Sequence, residues 1–175
     1  MPLNPQPLAD GFTALFDGRD GFPATTADAA KAWAALYRSY AATASAVPTL
    51  PVPAALAAGE STLASNLAHA FDTARGTAPV ADALASDLDT AFLAFWSAPP
   101  VAFLLPGTPP VNGIVTTAPA GVLGPAIAAT FAAGTARRSS AAEQAQALAT
   151  AIDAWTRTVM VAHSPPGPSA PVFLT

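Results

Sequence analysis

The sequence predicts a mainly α fold: a compact, alanine-rich bundle of about five or six helices, with a Pro/Gly-rich central segment and an extended C-terminal tail. Three observations carry that expectation. Alanine supplies 46 of the 175 residues and has the highest helix propensity. The 19 prolines cluster between the alanine-rich blocks, where they end helices, and not within them. Large apolar residues recur at spacings of three and four, the period of one helix face.

Residues 6–16 predict a short helix with Leu8, Phe12 and Phe16 on one side, and the turn residues from Asp17 to Pro23 end it. Thr25 or Thr26 caps a second helix reaching about Val47, with Asp28 in the first turn, where the helix dipole favours an acid. Trp33, Leu36, Tyr37 and Tyr40 make its amphipathic stripe, and Pro48, Pro51 and Pro53 give an extended connector. A third helix is expected over about 54–74, with Leu56, Leu63, Leu67 and Phe71 aligned, Gly59 weakening its first turns and Gly76 stopping it. Pro79 falls in the first turn of a fourth, whose Leu84, Leu88, Phe92, Phe95 and Trp96 form the most apolar face of the chain before Pro99 ends it.

The centre is the least regular part. Val101 to Leu105 and Ile114 to Thr117 either pair as a small hairpin or lie extended against the helices, around a loop with Pro109-Pro110 and Asn112-Gly113. A fifth helix over about 122–133 aligns Leu123, Ile127 and Phe131. Ser140 followed by Glu143 is a capping box, opening a last helix that carries Leu148, Ile152, Trp155 and Val159 to about Ala162. The proline-rich tail ends in an apolar Val-Phe-Leu, suited to docking on a neighbour or back on its own domain. One helical domain over 1–163 and an arm over 164–175 are expected. The expected core is Trp33, Tyr37, Leu67, Phe71, Leu88, Phe92, Trp96, Phe131, Leu148, Ile152 and Trp155.

Residues 90–136 contain no Asp, Glu, Lys, Arg or His. A stretch that long sits in a membrane, in the protein's own core, or against other chains. Its most apolar part, Thr90 to Leu105, is too short to cross a bilayer and carries Pro99-Pro100, so membrane insertion is not expected. Only 10% of residues are charged, against roughly 25% in ordinary soluble domains, and lysine occurs once, as Lys31. Such a surface is expected to be covered by partners. The net charge of −4 and pI near 4.8 argue against nucleic-acid binding. With no cysteine there is neither a disulfide nor a thiolate nucleophile, and the first seven residues lack the pattern of a secretory signal.

Residue chemistry points away from catalysis. His69 and Asp72 sit three apart on a helix, but two ligands are too few for a metal site, and His163 lies at the expected end of the last helix, where a positive charge is favoured. Asp17, Asp20 and Asp28 do not fit a calcium loop, because Arg19, Gly21 and Phe22 occupy its third, fifth and sixth positions. Asp82, Asp87 and Asp89 are expected as solubilising charges on a polar helix face, and Arg137-Arg138 as a solvated loop or interface contact. No phosphate loop, nucleophile elbow or dinucleotide fingerprint is present. No catalytic, cofactor-binding or metal-binding residue is assigned.

The segments Ala-Ala-Leu-Tyr-Arg-Ser-Tyr-Ala (34–41), Ala-Phe-Leu-Ala-Phe-Trp (91–96), Pro-Pro-Val (99–101), Gly-Ile-Val-Thr-Thr (113–117) and Thr-Arg-Thr-Val-Met-Val (156–161) follow one another before a Pro/Gly tail. In that order the chain resembles small alanine-rich virion structural proteins of tailed bacteriophages. The resemblance implies a tail, neck or baseplate component repeated around a symmetry axis. It also implies partners among other virion proteins and copies of itself, a place in the virion after assembly in the host cytoplasm, and no catalysis. It transfers no functional residues. Candidate assembly contacts are Phe103, Leu105, Val111 and Ile114 in the uncharged stretch, and Val172, Phe173 and Leu174 in the tail. Tube, sheath and terminator folds would show alternating strand patterns, which this sequence mostly lacks, leaving an accessory or joining role.

Two other readings use the same aromatics. A helical adaptor or chaperone would bind a partner helix in a groove lined by Phe92, Phe95, Trp96 and Phe103. A small-molecule-binding or enzymatic bundle would hold a pocket around them.

Overall fold

The computed structural model describes residues 3–18, 21–47, 49–76, 81–105, 111–163 and 171–175, with the backbone alone at 75–76, 81–82, 105 and 111. Pro48, Pro79 and Pro109-Pro110 lie outside the described residues. Six helices are described: α1 (Gln6–Asp17), α2 (Thr26–Ala41), α3 (Pro53–Gly76), α4 (Ala81–Ser97), α5 (Leu123–Arg137) and α6 (Ala141–Thr156). Each packs on the next, and α6 closes back on α1, so the helices form a ring around one core.

The caps read from the sequence are in place. The Thr25 hydroxyl accepts from the Asp28 amide, and Ser140 and Glu143 form a reciprocal capping box. Two glycines let helices approach closely. A Cβ at Gly59 would lie 2.6 Å from the Phe95 carbonyl oxygen, and one at Gly124 would lie 1.9 Å from that of Ala85. Gly59 therefore serves packing of α3 on α4, beyond its cost in helix propensity.

The expected core is largely the observed one. Trp33, Tyr37, Leu67, Leu88, Phe92, Trp96, Leu148, Ile152 and Trp155 are buried, and Phe71 and Phe131 pack against them partly exposed. Edge-to-face contacts join Tyr37 to Phe92 and Phe95, with ring centroids 4.9 and 4.8 Å apart.

The fold is not a purely helical bundle. Five short strands build one curled antiparallel sheet in chain order: β1 (Leu50–Pro51), β2 (Ala102–Leu105), β3 (Val111–Thr117), β4 (Met160–His163) and β5 (Val172–Phe173). The central hairpin is formed by β2 and β3, and Asn112-Gly113, expected in its loop, instead pairs with Leu104 and Phe103. The Ala98–Pro99 peptide that leads from α4 toward β2 is cis.

Two expected helices end early because their residues are taken up elsewhere. α2 stops at Ala41, not Val47, since both the N–H and the C=O of Ser45 pair with Thr175. α6 stops at Thr156, not Ala162, because the Val159 carbonyl accepts from Leu174 and 160–163 join the sheet. In the other direction, α5 continues through Gly134 to Arg137 instead of ending near Ala133. The end of the tail docks back on its own domain: it adds β5 to the sheet, and Leu174 is buried.

Candidate functional site

Strand alternation gives the sheet two faces of different character. The inner face turns Pro51, Phe103, Val115 and Val161 into the protein, and Phe103 stacks on Trp96 at 6.4 Å between centroids. The outer face carries Leu50, Ala102, Leu104, Asn112, Ile114, Thr117, Met160, Ala162 and Phe173, of which Asn112 and Thr117 are polar. Of these, Leu50 is 56% exposed, Leu104 43%, Ile114 54% and Phe173 55%. None of the five strands contains Asp, Glu, Lys or Arg. The result is an apolar, uncharged surface on a chain of net charge −4.

All seven expected assembly contacts fall on this sheet or just after its last strand, but on different sides. Ile114 and Phe173 are on the outer face. Phe103 and Leu174 are buried within the chain itself, because strand alternation turns them inward, and Val172 is half-buried beside Val161. The backbones of Leu105 and Val111 pair with each other, and their side chains lie outside the described residues. Sequence reasoning missed Leu50, Leu104 and Met160. Leu50 sits among prolines, Leu104 differs from buried Phe103 only by alternation, and Met160 falls within the span expected for the last helix.

The uncharged stretch is thus divided between core and surface. Phe92, Phe95, Trp96, Val101, Phe103, Val115, Leu123 and Ile127 are buried, while Leu104, Ile114 and Val122 face outward. Among the described residues, no helix is long and apolar enough to cross a membrane. The groove expected along Phe92, Phe95, Trp96 and Phe103 does not exist, since all four side chains are fully buried against one another and Tyr37.

The polar groups of the interior bond to one another. The Trp96 indole N–H donates to the Tyr37 hydroxyl at 2.7 Å, and that hydroxyl pairs with Thr156 at 2.9 Å. Burial pushes the Tyr37 phenol above its ordinary range, and burial followed by the Asp153 hydrogen bond does the same for Tyr40. The Tyr40 hydroxyl donates to Asp153 at 2.6 Å. Asp153 receives Arg157 through two nitrogens and raises its guanidinium above the ordinary value, while Arg157 also donates to the Leu3 carbonyl at 2.6 Å. This chain of bonds ties the N-terminal segment to α2 and α6.

Asp89 is a correction. It is no solubilising charge but a buried carboxylate that accepts the amides of Gly121, Val122, Leu123 and Gly124 at 2.6 to 3.1 Å. It caps α5 from α4. His163 is also relocated: it lies on β4, and its Nε2 is 2.8 Å from the Thr49 hydroxyl. His69 is exposed, and Asp72 accepts a hydrogen bond from the Thr26 hydroxyl. Arg137 closes α5 and Arg138 follows in a left-handed conformation, both exposed. Among the described residues, no group of three or more His, Cys, Asp or Glu is placed to hold a metal ion.

Elsewhere, a groove of about 590 Å³ runs between the N-terminal segment and α2, lined by Leu3, Pro7, Leu8, Leu36 and Tyr40 among others. It is apolar, and Asn4, Ser39 and Thr43 are its polar lining residues. No protein-family model matches the chain, and no curated protein or solved structure matches it.

Proposed function

We propose that the chain is a non-enzymatic structural subunit of a tailed-phage virion, a tail, neck or baseplate component that works through contacts with copies of itself and with other virion proteins. The observation that carries this reading is the outer face of the sheet. Large apolar side chains stand there on strands without a single Asp, Glu, Lys or Arg, a surface that water does not favour and a protein partner covers. The low overall charge supports the same reading. The sheet also removes the sequence-based ground against a tube or sheath role, which rested on missing strand patterns.

The test is mass spectrometry of particles purified from the source lysate, with antibody labelling in the electron microscope. The reading expects the chain in washed particles, in fixed multiple copies and at one location. Its recovery only from the soluble fraction would contradict that.

A second reading, a helical adaptor, is favoured by the apolar groove between the N-terminal segment and α2. Leu36→Glu on the groove separates the two, since it should abolish partner binding by an adaptor and leave particle incorporation intact.

A further inference from the structure

The His163 ring and the Thr49 hydroxyl meet on the inner side of the curled sheet. His163 ends β4 and pairs with Gly113 of β3, which pairs in turn with Phe103 of β2. Thr49 stands just before β1 and is buried. The ring can lie across β3 because position 113 carries no side chain: a Cβ there would come within 3.0 Å of the ring's Cδ2 and 2.6 Å of Val161 Cγ1. The contact fastens the connector between α2 and β1 to the fourth strand. That connector holds a tight turn, in which Ala46 and Thr49 exchange both backbone hydrogen bonds at 2.9 and 2.8 Å. Val47, within the turn, and Leu50, just after it, are exposed.

The protons of this contact can be counted. A threonine hydroxyl has one, and Thr49 donates it to the Ala46 carbonyl at 2.8 Å. The 2.8 Å contact with Nε2 then has the ring as donor, which leaves Nδ1 of the neutral imidazole bare. Nδ1 is buried and has no hydrogen-bond partner. An unused lone pair there costs little beside a charged N–H with no acceptor. Nothing around the ring compensates such a charge. Residues 42–59, 90–136 and 158–175 supply all five strands and the turn at 46–49. They contain no Asp, Glu, Lys, Arg or Tyr, and His163 is their single histidine. The strands packed on β4, β3 and β5, therefore present no titratable side chain to it. Arg157, the nearest charged residue along the chain, is engaged by Asp153 and the Leu3 carbonyl.

We propose that His163 is a proton-operated pin: neutral, it holds the turn at 46–49 against the sheet, and protonation at Nδ1 drives the ring out and frees the turn together with Val47 and Leu50. His163 is the last residue of β4 and only half-buried, so its ring turns to water from the strand end. The open form binds one proton more than the closed form. The pin therefore holds above about pH 6.5, the ordinary value of a free imidazole, and weakens as pH falls below it. The device is independent of the assembly reading.

Wild type, His163→Gln and His69→Gln, each labelled with ¹⁵N, are followed by NMR from pH 7.5 to 5. At pH 7.5 the His163 ring is expected with Nε2 protonated and Nδ1 bare. Amide exchange at Ala46 and Thr49, corrected for intrinsic rate, is expected to quicken about tenfold between pH 7 and pH 5 in wild type and His69→Gln, with helix amides unchanged. In His163→Gln, whose amide donates to Thr49 without titrating, exchange at these positions should stay level. The inference is overturned by a proton on Nδ1 at pH 7.5, by Thr49 exchange unchanged down to pH 5, or by equal quickening in His163→Gln. Should His163→Gln fail to fold, wild type and His69→Gln decide: quickening kept without His69 supports the pin, and quickening lost with it overturns it.

Discussion

Asp89 on α4 holds the start of α5: its Oδ1 lies 2.8 Å from the amide nitrogen of Leu123, and the carboxylate accepts three neighbouring amides as well. A helix N-terminus leaves amides without intrahelical partners, and here a buried carboxylate from another helix takes the place of a local cap. Asp89→Ala should lower stability by about 1–3 kcal/mol, and Asp89→Asn, which keeps one acceptor oxygen, by less. Chemical denaturation of the three proteins checks this. Equal midpoints for wild type and Asp89→Ala would contradict it.

The two tyrosines of the chain, Tyr37 and Tyr40, both have phenols raised above their ordinary range. A raised phenol contributes stability that is fully present below the unfolded-state value of about 10 and is lost as pH rises beyond it. Each should remove about 1.4 kcal/mol per pH unit above that point. Absorbance near the phenolate band should therefore rise together with alkaline unfolding, with no separate step before it. An early step with the far-ultraviolet signal intact would show an accessible phenol.

Trp155 packs against Phe92 and donates its indole N–H to the Pro119 carbonyl at 2.8 Å. Trp155→Ala removes both, and about 3–5 kcal/mol of stability is expected to go with it. For a chain of this size that lowers the thermal midpoint by roughly 6–20 °C. An unchanged midpoint would place Trp155 outside the core.

Leu174 is buried, and its N–H donates to the Val159 carbonyl at 3.1 Å. Leu174→Ala should cost about 2–5 kcal/mol, while Phe173→Ala, at an exposed neighbouring position, should cost far less. Comparable losses at the two positions would contradict the alternation of β5.

What was legible in the sequence was what local spacing encodes. Thr25 with Asp28, and Ser140 with Glu143, declare helix starts within four residues, and the stripes of α2 and α4 follow from the helical period. Long-range pairing was not legible. Val159 extends the stripe of Leu148, Ile152 and Trp155 and is buried like them, yet it has left the helix to meet Leu174. Asp89 looks like its neighbours on a polar face because its partners lie more than thirty residues further along. The candidate surface was half visible for the same reason. Ile114 and Phe173 were identifiable as apolar residues in uncharged context, but their common face depends on the register of five strands.

The outer sheet face as an assembly contact is tested most directly by native mass across a concentration series for wild type and Ile114→Lys. Ile114 is more than half exposed, so the lysine should change stability by no more than about 1 kcal/mol. The wild type is expected to rise to a discrete oligomer while Ile114→Lys stays at the 17.4 kDa monomer mass with an unchanged fold. Two proteins with identical masses at every concentration, both monomeric or both assembled, would contradict the account.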